Sequence, residues 1–383
     1  MKLWDRLCAA VEDEVPDAVE LRHRLHADPR LSGAEEDTTR TVVAALGGGP
    51  GIEVAGTGRV VRFGSGARWV ALRAELDALP IVEASGVPWS ARGSAMHACG
   101  HDVHLAAIVA AVRAIAHVGG PRPVCALLQP REETAPSGAR DVVASGVLDE
   151  IAAVIAAHVQ PRVPAGMLAV GAGLVNASVD EFEITVLGQV GHAGYPHTVA
   201  DPVLALAAVI VNMQQIAARR VDPVAGAVCM VTEVHAGSSA NIVPGEARAR
   251  GTLRVMREDD RAGLAGEVTA IVEHTAAAYE CKADVRFIEG EPALRNDAVL
   301  AAATREVLLG GGHRVTAEFR SFGADDFAYY CGHVPSLMIF VGVDGPGLHD
   351  PTFVPADDVI RTVAHALLAG YVAACDTAQR PIA

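Results

Sequence analysis

Residues that can bind metals lie far apart in this chain, and their separation is the strongest constraint on how the chain folds. The segment 96–104 combines one cysteine, three histidines and one aspartate. Further candidate ligands follow at Glu132-Glu133, His158 and His349. Thiolate and imidazole together favour zinc and its transition-metal neighbours over magnesium or calcium. A common site therefore requires a fold that brings these distant segments together.

The apolar segments predict two domains. A chain of 383 residues is longer than one ordinary core supports. Buried strands, as at 124–129 and 154–158, alternate with apolar helices in the first part, and this character returns near the C-terminus. Residues 176–290 instead have the β-α-β-β-α-β order of a ferredoxin-like split βαβ unit. We therefore predict an α/β domain of residues 1–175 and 291–383, interrupted by an inserted α+β domain of residues 176–290.

Composition excludes several classes of function. The formal net charge is −15 and no basic stripe is evident, which argues against nucleic-acid binding. Seven cysteines without CxxC spacing argue against a disulfide framework and for a reducing compartment. The N-terminal residues lack the apolar core of a secretory signal, and no uncharged apolar run approaches the roughly 18–20 residues of a membrane span. We therefore expect a cytoplasmic protein that does not bind membranes.

Each candidate ligand also has a purely structural interpretation. Cys99 and His101 can equally be a buried cysteine and a core histidine, although so many polar groups in one segment are costly to bury without partners. Glu132-Glu133 follows a buried strand, where one carboxylate can bind a metal and the other can act as general base, but such pairs usually belong to charged surface loops. His158 and His349 can each be a structural histidine or a ligand.

Two further features bear on a metal site. A thiolate beside a metal cation is deprotonated, so Cys99 can also bridge two ions. Asp77 follows another buried strand, and it can accept a hydrogen bond from a ligand histidine and so fix the tautomer of that ring. Its alternative interpretation is an aspartate in a turn before Pro80.

The motifs together resemble one known family. They lie at 24–26, 74–81, 97–104, 129–133, 191–193, 251–254 and 348–349, with His158, Asn241 and Pro244. The chain is similar to the dinuclear-metal amidohydrolases that include hippurate hydrolases, N-acyl-amino-acid amidohydrolases and auxin-conjugate hydrolases, relatives of aminoacylase and of the carboxypeptidase G type of exopeptidase. The resemblance implies a mixed-sheet catalytic domain of the zinc-exopeptidase type, with an inserted ferredoxin-like dimerisation or lid domain.

The resemblance also implies a metal site with two ions. Cys99 would bridge two divalent transition-metal ions, which could be zinc, manganese, cobalt or nickel. Glu133 and His349 would complete one site, and His101 and His158 the other. Glu132 matches the general base of the family, and Asp77 matches the aspartate that orients the site.

Three residues of the inserted domain match residues that contact the substrate in the family. His192 matches a histidine that reaches the active site of another subunit and polarises the substrate carbonyl, so we expect a homodimer or a higher homo-oligomer. Asn241 and Arg254 match residues that hold the substrate carboxylate. Arg131 and Tyr195 depart from the family pattern, as does Glu75, and the first two can alter the substrate pocket.

The function implied by the resemblance is hydrolysis of the amide bond of N-acyl amino acids by metal-activated water. A dipeptidase or carboxypeptidase of the same fold is the first alternative. A ligand-binding protein with a degenerate site is the second, and the complete set of ligands argues against it.

Overall fold

The computed structural model describes residues 2–377, which form helices, strands and the loops that connect them. Within this range the α-helices are α1 (Leu3–Ala27), α2 (Glu36–Leu46), α3 (His101–Val118), α4 (Gly138–Ala144), α5 (Pro202–Met213), α6 (Glu258–Ala277), α7 (Ala298–Gly310), α8 (Ala328–Cys331) and α9 (Val359–Thr377). The strands are β1 (Ile52–Val54), β2 (Gly58–Phe63), β3 (Trp69–Glu75), β4 (Val124–Gln129), β5 (Ile151–Gln160), β6 (Met167–Ala169), β7 (Gly173–Asn176), β8 (Ser178–Leu187), β9 (Gly191–His192), β10 (Ala227–Ala236), β11 (Ile242–Val243), β12 (Glu246–Val255), β13 (Lys282–Glu289), β14 (Leu294–Asn296), β15 (Arg314–Thr316) and β16 (Ser336–Gly342).

The chain divides into two compact units. Unit 2 consists of Leu174–Leu294 and a short return, Ser321–Asp325. Unit 1 contains the residues up to Gly173, Arg295–Arg320 and the residues from Asp326 onward. These boundaries fall within four residues of the predicted positions 176 and 290. The sequence did not predict the return segment, which is too short to carry a pattern of its own.

Unit 1 is built on an eight-stranded mixed sheet, in the order β1-β2-β4-β3-β5-β16-β6-β15. At its centre β3 pairs parallel with both β4 and β5, and β16 pairs parallel with β5. The antiparallel pairs of β2 with β4 and of β6 with β16 make the sheet mixed. Every residue of β4 and β16 is buried, as expected for central strands covered on both faces.

Sequence analysis predicted no segment long and apolar enough to span a membrane, and this prediction was wrong. Three helical segments reach that length and composition, namely His101–Val118, Pro202–Arg220 and Val359–Thr377. In the first and third, 78% and 72% of the residues are buried inside the fold. The helices α3 and α9 pack against each other and both pack against α1. A helix surrounded in this way needs apolar side chains on several sides, which explains its high hydropathy.

Unit 2 contains a four-stranded antiparallel sheet in the order β10-β12-β8-β13. The helices α5 and α6 pack on each other and on this sheet. Along the chain the elements follow the predicted order β8-α5-β10-β12-α6-β13. Alternate residues of β8 and β12 are buried, because one face of the sheet covers the core of this unit.

Candidate metal centre and active site

Four neighbouring parallel strands bring the predicted ligands to one edge of the large sheet. The strands β4, β3, β5 and β16 run in the same direction and are adjacent in the sheet. Asp77 follows the end of β3, Glu132-Glu133 follows β4, and His158 lies in the last part of β5. Open α/β sheets place their sites at the carboxyl ends of strands, so this arrangement has a general topological cause.

Five predicted ligands form two groups that share one sulfur atom. Cys99, His101 and His158 each offer a donor atom within 4.8 Å of the others. Cys99, Glu133 and His349 form a second such group. Cys99, His101 and His158 are buried, whereas half of the His349 side chain is exposed. The cluster therefore combines one thiol, three imidazoles and one carboxylate, with the thiol between the other donors.

A tight turn at Gly100 allows Cys99 and His101 to occupy consecutive positions around this cluster. Gly100 has φ +84° and precedes the first residue of α3. A Cβ atom there would also lie 2.4 Å from Cγ2 of Val159 on β5. Both the left-handed backbone and the close approach require glycine at this position.

Backbone carbonyls orient two of the imidazoles. His101 Nδ1 donates to the carbonyl oxygen of Asp77 at 2.8 Å, and His158 Nδ1 donates to that of Val159 at 2.7 Å. Because carbonyl oxygens only accept, each neutral ring presents an unprotonated Nε2. Nε2 of His158 lies 3.5 Å from the Cys99 sulfur. Asp77 thus orients His101 through its main chain, whereas its carboxylate, 3.8 Å away, lies too far for the predicted hydrogen bond.

The chemistry of the donors fits metal ions. His101 Nε2 and Glu133 Oε1 are buried without a hydrogen-bond partner, which is costly unless another ligand occupies them. Burial, and then the carboxylates of Glu133 and Glu132, raise the pKa of the Cys99 thiol well above its usual value. Burial lowers the pKa of His158, which favours the neutral imidazole that binds metals. Burial by itself would lower the pKa of His101, but the carboxylates of Glu75, Glu133 and Asp77 raise it, so the site favours a positive charge, which cations would supply.

Glu132 lies beside the cluster, and the carboxylate of Asp77 accepts a hydrogen bond from the next residue, Glu133. Glu132 Oε2 is 3.8 Å from His101 Nε2. Oδ2 of Asp77 accepts hydrogen bonds from the Glu133 amide at 3.0 Å and from the Ser32 hydroxyl at 2.6 Å. Sequence analysis missed Ser32 as a site residue, because the pattern from Ser32 to Glu35 suggests a capping box and nothing local indicates a partner 45 residues away.

Two other buried polar residues of the segment 96–104, Asp102 and His104, have protein partners. Asp102 accepts from Arg22 at 3.0 Å and from His26 at 2.9 Å. His104 bonds to Glu75 at 2.9 Å through Nδ1, and its Nε2 accepts from the Val159 amide at 3.0 Å. Protein groups therefore offset the burial of Asp102 and His104 without a metal ion.

The remaining predicted site residues lie in unit 2, at two separate places. His192 on β9 pairs with Ile242 on β11, and the neighbouring Ala193 amide donates to the Asn241 carbonyl at 3.1 Å. His192 and Asn241 are therefore close together, and both are exposed. Arg254 is on β12, eight residues beyond Glu246, where that strand begins after the β9–β11 pair, or about 26 Å along the strand. Within one unit 2 the structure does not bring Arg254 together with His192 and Asn241.

Comparisons with known proteins identify close relatives by sequence. Residues 71–369 match the model of Peptidase family M20/M25/M40. The chain is 32% identical over 367 residues to the N-acetylcysteine deacetylase of Bacillus subtilis strain 168, covering 90% of this chain and 93% of the relative. It is 31% identical over 363 residues to an N-acetyldiaminopimelate deacetylase of Geobacillus thermodenitrificans, covering 90% and 95%.

Solved structures share the fold. The crystal structure of a dinuclear metal binding peptidase from the M20 family of Bacillus subtilis has a TM-score of 0.82 at 29% identity, covering 94% of this chain and 99% of that one. The aminopeptidase PepT of Bacillus cereus has a TM-score of 0.74 at 15% identity, covering 95% and 98%, and this likeness shows the fold alone. The predicted mixed α/β fold class and the predicted family resemblance are confirmed, whereas the role of the inserted domain in dimerisation or as a lid stays a prediction.

Proposed function

The chain belongs to Peptidase family M20/M25/M40, and on that premise we propose that it hydrolyses the amide bond of N-acyl amino acids. The main support is the pair of donor groups that share the Cys99 sulfur. The two relatives named above, an N-acetylcysteine deacetylase and an N-acetyldiaminopimelate deacetylase, favour deacylation as the reaction. The substrate would then be a small N-acylated amino acid.

We propose that five residues hold two divalent cations, which could be zinc, manganese, cobalt or nickel. Glu133 and His349 would hold one, His101 and His158 the other, and Cys99 both. When bound, such cations polarise the scissile carbonyl and lower the pKa of water. The mixture of sulfur, nitrogen and oxygen donors suits all four metals, so availability would decide among them.

Metal analysis of the purified protein tests this arrangement by stoichiometry. The parent protein is expected to contain two ions per chain. His349→Ala is expected to retain one ion, because it removes a ligand from one group only. Cys99→Ala is expected to weaken both sites, because its sulfur is common to both groups. Equal losses in the two variants would contradict a bridging cysteine.

Glu132 is proposed as the residue that moves the proton. Its side chain is 11% exposed, and its Oε2 lies 3.8 Å from a ligand imidazole, so it is close to the cluster and sheltered from solvent. The carboxylate would take a proton from the attacking water and deliver it to the leaving amine, a role worth about 10²–10⁴-fold in rate.

The neighbouring glutamate provides a matched comparison, because the Glu133 side chain is 10% exposed. Glu132→Gln is expected to keep both metal ions and to lose about 10²–10⁴-fold in kcat. Glu133→Gln is expected to lose metal affinity as well. The assignment would be rejected by normal turnover in Glu132→Gln, or by the same metal loss in both variants.

His192 is proposed to polarise the carbonyl of the substrate. Its Nδ1 accepts a hydrogen bond from the Gly194 amide at 2.9 Å, so the proton of the neutral ring is on Nε2. An Nε2–H group can donate to a developing oxyanion, a contribution worth about 3–4 kcal/mol for one donor. The ring of Tyr195 lies 5.3 Å from that of His192, so this departure from the family pattern is placed to affect the bound acyl group.

We propose that His192 acts in the site of a second copy, within a homodimer. Unit 2 exposes apolar side chains, with Leu204 and Val211 on α5 55% and 70% exposed, and Met230 and Val234 on β10 54% and 50% exposed. The strand β10 is at the edge of its sheet, where its backbone can pair with another chain. A twofold dimer is the commonest way to cover such a surface.

Complementation between two inactive variants tests this proposal. Glu132→Gln and His192→Ala chains, expressed together, would form mixed dimers in which one of the two sites has both residues. Random pairing predicts recovery of about a quarter of the parent activity in a twofold dimer. No recovery, although light scattering shows dimers, would place His192 in the site of its own chain.

A dipeptidase or carboxypeptidase is the second candidate, favoured by the name of the family and by the M20 peptidase structure. Both kinds of substrate carry a carboxylate, which we propose is held by Arg254 of one copy and Asn241 of the other, because the two residues lie at separate places within one unit 2. A panel of N-acyl amino acids and dipeptides separates the two functions, because a preference for a free α-amino group would favour the second. Arg254→Lys is expected to raise KM for either kind, since lysine loses the planar fork that binds both oxygens.

The proposed location of the protein is the cytoplasm. Six of the seven cysteines, namely Cys8, Cys99, Cys125, Cys229, Cys281 and Cys375, are free thiols, as a reducing compartment favours.

A further inference from the structure

The carboxylate of Glu35, which lies outside the candidate metal cluster, binds the backbone amide of Arg131, the residue before Glu132 and Glu133. Glu35 is fully buried. Its Oε1 accepts from the Gly33 amide at 2.8 Å and from the Arg131 amide at 2.9 Å, and its Oε2 accepts from the Thr57 hydroxyl at 2.7 Å. Glu35 therefore connects the turn before α2, the β1–β2 turn and the loop after β4.

The residue that Glu35 holds has a strained backbone. Arg131 has φ +53°, a conformation that costs a residue with a side chain about 1–3 kcal/mol. Its carbonyl accepts from the Gly138 amide at 3.0 Å, and its guanidinium bonds to Asp141 and to the Pro136 carbonyl. Such a conformation persists only where the surroundings determine it, and here hydrogen bonds fix both the amide and the carbonyl of Arg131.

We propose that Glu35 is a positioning residue that sets the places of Glu132 and Glu133 by fixing the Arg131 peptide. This inference rests on the roles of Glu132 and Glu133 in the proposed function. Arg131 is bonded directly to Glu132, so a rotation of its peptide moves the carboxylate of the next residue. The Asp77 carboxylate holds the Glu133 amide from the other side, which leaves Glu35 as the anchor of the N-terminal half of the loop.

The expected effect is on turnover and metal affinity more than on substrate binding. A displacement of about 1 Å in a catalytic group can cost a hundredfold in rate. Loss of a group that orients a metal ligand typically costs about 10–100-fold in affinity. Arg254, which we propose binds the substrate, is held within unit 2 by the Phe322 carbonyl and not by this loop of unit 1, so KM should change little.

Three substitutions separate positioning from simple structural support. Glu35→Ala removes all three hydrogen bonds. Glu35→Asp keeps the charge but withdraws the acceptor by one methylene group, and it protects the experiment against a variant that does not fold. Glu35→Gln is the conservative variant, because its carbonyl can still accept from Arg131 and its amide can donate to the Thr57 hydroxyl. Thr57→Val is the control, since it removes one hydrogen bond of Glu35 and leaves the bond to Arg131.

Four measurements apply to each variant: kcat, KM, zinc affinity by competition with a chromophoric chelator, and hydrogen exchange at the Arg131 amide. We expect Glu35→Asp and Glu35→Ala to lower kcat by about tenfold and a hundredfold, with KM within threefold. Both should weaken zinc binding about tenfold or more and speed exchange at Arg131. Glu35→Gln should restore most of each quantity, and Thr57→Val should match the parent in all four.

Parent values of kcat and zinc affinity in a folded Glu35→Asp variant would overturn the proposal. So would equal losses in Thr57→Val, which would reduce Glu35 to a structural role. If the parent hydrolyses no N-acyl amino acid, the proposed function fails by itself. Zinc affinity and amide exchange would then still decide whether Glu35 fixes the loop.

Discussion

Arg73→Met is expected to destabilise unit 1 by about 4–5 kcal/mol, near the upper end for breaking a buried ion pair. The Arg73 side chain is fully buried between two carboxylates, those of Glu75 and Asp326, which are themselves 1% and 0% exposed. It bonds to Glu75, to Asp326 at 2.7 Å and to Gln129 at 2.8 Å. Removing one partner of such a pair costs about 3–5 kcal/mol, and here one substitution leaves two buried carboxylates without it.

The remaining hydrogen bonds limit the loss. Glu75 keeps its bond to His104, and Asp326 keeps the Gln129 amide at 2.7 Å and the Ser137 hydroxyl at 2.6 Å. Burial by itself would raise the pKa of Glu75, but the Arg73 guanidinium and His104 hold that pKa well below its usual value. Glu75 is therefore ionised at neutral pH, and its contribution to stability is present above the unfolded pKa and is lost as pH falls through the folded one.

Urea unfolding followed by tryptophan fluorescence measures this effect selectively, because all three tryptophans of the chain lie in unit 1. Arg113→Met is the matched control, since its bond to Glu14 joins partly exposed side chains and should be worth less than about 1 kcal/mol. Adding Glu75→Gln to Arg73→Met should recover part of the loss by removing one stranded charge. The reasoning is refuted if Arg73→Met costs no more than Arg113→Met, or if the losses of the double variant simply add.

Three further outcomes are expected. Burial, followed by His313, lowers the pKa of His365 to about 4, so the folded state binds fewer protons than the unfolded state between pH 4 and 6.5 and stability falls as pH drops through this window. The free energy of unfolding of His365→Phe, relative to that of the parent, should therefore be about 2 kcal/mol higher at pH 5 than at pH 7.5. The same difference between variant and parent at both pH values would contradict this. Gly138→Ala would place a Cβ atom 1.7 Å from the Pro130 carbonyl oxygen, so it should lower both kcat and the urea midpoint measured by tryptophan fluorescence. Gly263→Ala has open space around its Cβ position and should change neither quantity. Chelation should lower the free energy of unfolding of the parent by about 4 kcal/mol for each ion that had been present at a thousand times its Kd, and should leave that of Cys99→Ala almost unchanged.

The sequence predicts the segments of this fold better than their ends. The strand predicted at 154–158 extends over Ile151–Gln160, because Ile151 and Ala153 pair with β3 and Val159 and Gln160 pair with β16. The apolar pattern of residues 201–219 is that of one long helix, but the α-helix runs only from Pro202 to Met213, and a π-helical turn follows at Ile216–Arg220. Apolar periodicity shows which face of an element is buried. It does not show where a tertiary contact extends or ends the element.

Prediction of the candidate site was similarly uneven. Metal ligands can be anticipated, because a cysteine beside a histidine is a rare local combination and the others follow buried strands. The groups that hold them cannot, since their partners are distant in sequence. Ser32 resembles a helix cap but bonds to Asp77, and Glu35 resembles the partner of that cap but bonds to Arg131. In each case the local sequence pattern indicates a helix cap, whereas the side chain bonds to a residue far away in the sequence.

Two groups of buried charges flank the candidate metal cluster, and each holds a different ligand-bearing segment. Arg22 and His26 bind Asp102, which follows the ligand His101. Arg73 and Gln129 bind Asp326, which in turn receives hydrogen bonds from the far end of the loop that carries Glu132 and Glu133.

Apolar packing cannot fix these segments from every side, because a catalytic site must leave one side open to substrate. Hydrogen bonds to buried charges are directional and strong at low dielectric, so contacts on one side are enough to fix a segment. On this reasoning, loss of either charged group should disturb metal affinity at its own segment first. Arg22→Met should therefore weaken the ion held by His101 and His158 more than the ion held by Glu133 and His349, and the opposite order would show that the two groups act on the site as a whole.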